Sequence, residues 1–193
     1  MQGYAPMQIK LLLEISRGHN WPTILISDCD ISEIISDTGD VREILVRCCP
    51  TKNEIKLVRS NKDGSETVVV NGQILRDQTV TLKKIWVDDI LLDLDLVLEM
   101  AVFRNEFTDD YINYCAERSV EMASVESHWH TWYFNGIWQW TFDEPFWPWY
   151  ARQKRDYQNK HLSKEHIELY VGTSAKNHQD LMHTLRELLQ NDV

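Results

Sequence analysis

The chain has 193 residues, of which 43% are hydrophobic and 26% charged, the composition of a folded, core-forming protein and not of a disordered one. Asp and Glu number 30 against 20 Lys and Arg, giving a formal charge of −10 that repels phosphate backbones and argues against nucleic acid as a partner. No apolar run approaches the ~20 residues of a membrane-spanning helix. The opening MQGYAPMQIK also lacks the basic start and apolar core of a secretory signal, so a cytoplasmic protein with no membrane partner is expected on this ground.

In chain order, short apolar or alternating runs recur at Met7–Ile15, Trp21–Ile26, Val41–Cys48, Glu54–Arg59, Glu66–Val70, Gln73–Leu75, Thr79–Val87, Leu94–Phe103 and His128–Phe142. Turn-forming residues separate them, such as Asp37-Thr38-Gly39-Asp40, Asn71-Gly72, Asp88-Asp89 and Asn135-Gly136. This spacing predicts an all-β sandwich or barrel over residues 1–143, and a mainly antiparallel β-sandwich is expected. Thr108–Ala123 is the one helical segment expected there, capped by Thr108 or Asp109. Residues 144–193 carry seven basic and seven acidic residues and read as a mostly helical C-terminal extension. Pro148 suits the first turn of a helix running to about Asn159, Ser163 can cap a short segment, and Leu181, Met182, Leu185, Leu188 and Leu189 give a final helix an apolar stripe.

The cysteines Cys29, Cys48, Cys49 and Cys115 form no C-x-x-C pair, and reduced thiols are expected. Strand alternation sends one of Cys48 and Cys49 inward and the other outward.

Both Asn-Gly pairs suit a two-residue type I′ turn. The first pairs Val70 with Gln73, Val69 with Ile74 and Val68 with Leu75. The second pairs Phe134 with Ile137 and, further along, Trp132 with Gln139 and Trp129 with Phe142. It places Trp129, Tyr133, Trp138, Trp140 and Phe142 on one face, expected to be core, and His130, Trp132, Phe134, Gln139 and Thr141 on the other. A flat indole at Trp132 beside His130, Gln139 and Thr141 is suited to a sugar ring, and the same face suits a protein contact. Partner-binding candidates are Phe134 on this face and Leu181, Leu185, Leu188 and Leu189 on the last helix.

The pair His128 and His130 has no readable third ligand except Asp143, across the hairpin from His128, and such pairs are more often polar surface residues; the acidic pairs Asp28/Asp30, Asp88/Asp89 and Asp93/Asp95 lack a calcium-loop pattern, so no metal is expected. No G-x-S-x-G, H-E-x-x-H or phosphate-loop motif occurs, and seven glycines leave little for a phosphate cradle. No cofactor and no enzymatic activity are expected.

The stretch Val69 to Ile90, with Ile85-Trp86-Val87-Asp88-Asp89-Ile90 at its end, resembles the central strands of jelly-roll carbohydrate-binding modules. Trp132 to Tyr150, with Asn135-Gly136-Ile137-Trp138 followed by Pro145-Phe146, resembles the closing hairpin of small phage-encoded β-sandwich proteins. The resemblance implies a sandwich with a virion-structural or sugar-binding role. The expected function is therefore that of a non-enzymatic assembly protein, such as a decoration, tail or accessory component, acting through a protein partner or self-assembly. The alternative is a carbohydrate-binding module using the aromatic hairpin face.

Overall fold

The computed structural model describes residues 7–71 and 73–171, of which 30–32 and 162–171 are described by their backbone. In chain order the elements are β1 (Ile9–Ser16), β2 (Thr23–Ile26), β3 (Cys29–Asp37), β4 (Val41–Cys48), β5 (Glu54–Ser60), a 3-10 turn (Gly64–Glu66), β6 (Val68–Val70), β7 (Gln73–Arg76), β8 (Thr79–Val87), β9 (Ile90–Leu91), α1 (Leu94–Met100), β10 (Val102–Glu106), α2 (Asp109–Arg118), β11 (Val125–Glu126), β12 (Thr131–Trp132), β13 (Asn135–Thr141) and α3 (Phe146–Val171). The chain divides into two compact units, residues 1–149 and 150–193.

The first unit is an antiparallel β-sandwich, as the strand spacing predicts. One sheet runs β12-β8-β1-β4-β3 with β9 beside β8, and the other runs β11-β10-β13-β5-β2. Alternation makes the core. Ile9, Leu11, Leu13 and Ile15 of β1 face inward between Val46 and Cys48 of β4 and Val80, Leu82, Ile85 and Val87 of β8. The second sheet contributes Ile55 and Leu57 of β5, Phe103 of β10, and Trp138 and Trp140 of β13. Beyond β13, Phe142, Phe146 and Trp149 pack around Trp140, with ring centroids 5.2–6.5 Å from it. The start of α3 is thus part of the sandwich core.

Four expectations need correction. Leu94–Phe103 is not a strand: Asp93 caps α1 by accepting from the Leu96 amide (3.4 Å), and a strand begins only at Val102. Leucine, Glu and Met favour the helix there, and one turn suffices to bury Leu96, Val97 and Leu98. Residues 29–37 form an unexpected edge strand, whose polar sequence fits an exposed sheet margin. Cys29 and Cys48, directly opposite in the β3/β4 ladder, form a disulfide in place of two reduced thiols. Cys48 is buried and Cys49 exposed, as alternation requires. Lastly, α3 runs unbroken past Asn159 and Ser163 to Val171, with Pro148 in its first turn where its missing N–H costs nothing.

Helix α2 matches its predicted start, with Thr108 Oγ1 accepting from the Tyr111 amide (3.4 Å), but ends at Arg118 where Ser119 turns left-handed. Val70 opposes Gln73 and Val69 opposes Ile74 as the first Asn-Gly pair predicts, and Asn71 has φ 52°. A bulge then moves Val68 from Leu75 to Arg76. No helix among the described residues is long and apolar enough to cross a membrane.

Candidate functional site

The second Asn-Gly pair does not make a hairpin. Asn135 and Gly136 lie inside β13, which pairs with β10 and β5, whereas Thr131 and Trp132 of β12 pair with Thr81 and Val80 of β8 in the other sheet. Gly136 is needed for close strand approach: a Cβ there would lie 2.1 Å from the Arg104 carbonyl oxygen, and φ is +153°. Asn135 uses its amide as a surrogate strand, accepting from the Lys62 N–H (2.9 Å) and donating to the Lys62 C=O (2.8 Å).

Losing that turn reassigns the faces. A two-residue turn would reverse the odd-even parity between its arms. Here the chain crosses from sheet to sheet without reversal, so Trp132, Trp138, Trp140 and Phe142 all point inward. Trp132 is 1% exposed, stacked on Phe103 at 5.5 Å and tilted against Trp138 at 5.7 Å, so it is a core residue and not an open sugar platform. Gln139, on the opposite sheet, donates to Glu54 (2.9 Å), and Thr141 is exposed on that same sheet. Phe134 packs with Tyr111 and Phe107 at 4.6 and 5.0 Å. His130, Trp132, Gln139 and Thr141 therefore do not form one surface. Leu181, Leu185, Leu188 and Leu189 lie outside the described residues.

Trp129 and Tyr133, expected in the core, are instead 49% and 41% exposed, with rings edge to face at 6.4 Å. With His128, His130 and Thr131 they line a shallow concavity of about 250 Å³. His128 is fixed by its backbone N–H, which donates to the Leu98 carbonyl (3.1 Å), by a Ser127 hydroxyl contact at Nδ1 (2.9 Å) and by Glu99 at 3.9 Å from Nε2.

A second surface is larger in apolar character. Strands β6 and β7 form a two-stranded sheet of their own. Val69, Val70, Ile74 and Leu75 are all exposed, Ile74 at 65% and Leu75 at 70%, so both faces of this hairpin are apolar. An isolated hairpin is marginal in water, and this one is held at its base by buried polar groups. Thr67 and Asp77, flanking β6 and β7, are bonded side chain to side chain (2.8 Å), and Asp77 also accepts from Lys62 Nζ at 2.6 Å. Buried Glu66 accepts from the His19 and Asn20 amides (2.7 and 2.9 Å) and from Asn20 Nδ2 (2.7 Å). Gly18 lets that loop close, since a Cβ would sit 2.1 Å from the Glu66 carbonyl oxygen. Buried Arg59 donates through Nη2 to the Gln78 carbonyl (2.6 Å) and side chain (3.2 Å). Desolvation pushes its pKa down to about 10, against the pull of Asp77, and burial likewise lowers Lys62.

A third feature is a groove of about 450 Å³ between the sheets at the β2 side, lined by Leu13, Ile15, Ile24, Ile26, Ile44 and Val46 among others. Leu25 of the edge strand is at its rim, 63% exposed. Runs of isoleucine and valine announced strands at these places, but only the sheet order shows that one mouth of the sandwich stays open.

No family model matches the chain, and no curated protein or solved structure is significantly similar to it.

Proposed function

We propose that this chain is a non-enzymatic assembly protein that acts through protein–protein contacts, with the β6–β7 hairpin as its contact arm. One observation carries the reading: four exposed apolar side chains on a hairpin whose base is clamped by Glu66, Asp77 and Lys62, in a chain of net charge −10. Exposed apolar patches on otherwise charged proteins mark interaction sites, and a rigid mount limits the ordering cost of binding. A decoration or accessory role in a phage particle, implied by the sequence resemblance, is a setting for such contacts. The test is a photo-crosslinking amino acid at Leu75, with one at exposed Lys84 as control, in cells making the protein. The expected result is a discrete adduct from position 75 that disappears with Ile74→Asp. Equal, diffuse labelling from both positions would overturn the reading.

The alternative, carbohydrate binding, moves from Trp132 to Trp129 and Tyr133. The exposed aromatic pair and two histidines around a concavity large enough for about one sugar ring favour it. A polysaccharide panel followed by tryptophan fluorescence should then give a saturable change that Trp129→Ala abolishes. Silence across the panel would eliminate this alternative.

A further inference from the structure

The contact arm and the open groove complement each other, and we infer that the β6–β7 hairpin of one copy docks on the β2 edge and groove of the next. The inference rests on the arm reading and names the partner as a second copy of this chain.

Three observations select that occupant. The arm and groove are both free of charge: Thr67 to Leu75 contains no ionisable side chain, nor does Asn20 to Ser27, and every residue lining the groove is uncharged. In a chain at −10, these neutral islands are where two copies can meet with least repulsion. The backbones also match. β2 and β7 are each four residues long, and among the described residues β2 is paired only with β5, leaving its outer N–H and C=O groups to accept another strand. Finally, β2 lacks the charges, bulges and internal proline that protect sheet edges, with Thr23-Ile24-Leu25-Ile26 presented bare. A strand added there sends alternate side chains towards the groove, so either Ile74 or Leu75 enters it while the other covers Leu25. Each copy carries one arm and one groove, so the contact either closes by reciprocal exchange about a two-fold axis or propagates head to tail into a ring or filament.

Two variants of the full chain test this by sedimentation velocity: Leu25→Asp, which charges the groove edge, and Ile74→Asp/Leu75→Asp, which charges the arm. Wild type should sediment as species heavier than the 22.8 kDa monomer, growing with concentration. Each variant alone should be monomeric, with circular dichroism unchanged. An equimolar mixture should form a dimer and nothing larger, because it retains one intact arm and one intact groove. That complementation also shows that both variants are folded. A monomeric wild type, continued self-association of either variant, or a mixture that stays monomeric would overturn the inference. If a crosslink from position 75 to a different protein survives such a result, the arm reading stands and only the self-partner is lost.

Discussion

The indole of Trp132 lies on the ring of Phe103, 13° from parallel with centroids 5.5 Å apart, and this stack joins β12 of one sheet to β10 of the other. It turns a residue suited to ligand binding into part of the bridge across the core. Trp132→Ala should therefore cost ~3–5 kcal/mol, the range for removing a buried aromatic. Trp129→Ala, at an exposed position, should cost less than about 1 kcal/mol. Urea unfolding of both variants checks this, and a stable Trp132→Ala protein would refute the packing.

The ion pair at the arm's base should behave as a unit. Asp77→Ala leaves the partly buried Lys62 ammonium without its counter-charge, a loss on the order of 3 kcal/mol. Adding Lys62→Met should recover part of that loss, since the orphaned cation is then gone. A double-mutant cycle measures the coupling, and strictly additive effects would contradict it.

Cysteine accounting gives a chemical test of the β3/β4 pairing. Unfolded without reductant, the protein should take up iodoacetamide at Cys49 and Cys115 only, and at all four cysteines after reduction. Mass spectrometry distinguishes two adducts from four. Cys49 should also react in the native state, while buried Cys115 should not.

Asp37 supplies a pH test. The Gly39 amide and Arg42 Nε, each 2.7 Å from a carboxylate oxygen, hold its pKa below the usual 3.8. The unfolded chain binds this proton more readily than the folded one. The resulting stabilisation is present above pH 3.8 and fades as pH falls through the lower folded value. The stability difference between wild type and Asp37→Asn should shrink as pH falls below about 4, read from urea midpoints. A constant difference would exclude the pairing.

Much of the fold was legible because burial on one sheet face imposes alternation. Val41–Cys48 and Thr79–Val87 were predicted with their observed limits, and the β6–β7 register with only one bulge unforeseen. The site was less legible because it depends on where the chain changes sheets. Asn135-Gly136 has the composition of a tight turn, yet the constraint it meets is close packing on Arg104, 32 positions from Gly136, whose carbonyl oxygen would lie 2.1 Å from any Cβ at the glycine. That tertiary demand inverted the faces of Trp129 and Trp132. Nor does Val69-Val70 or Ile74-Leu75 announce its own exposure, since the same letters describe a buried hairpin. Only the sheet order reveals it, since among the described residues no other strand pairs with β6 or β7.

Two crossings between the sheets are two-residue spans: Ser27-Asp28 links the edge strands β2 and β3, and Tyr133-Phe134 links the edge strand β12 to β13 at the centre of the other sheet. Such short stitches cannot stretch while one sheet melts and the other persists, because a strand on each side would be dragged with them. The sandwich should therefore lose both sheets in one cooperative event, with far-ultraviolet dichroism and tryptophan emission following a single curve. Whatever pulls on the arm loads the fabric as a whole, and the seams make the protein fail as one piece.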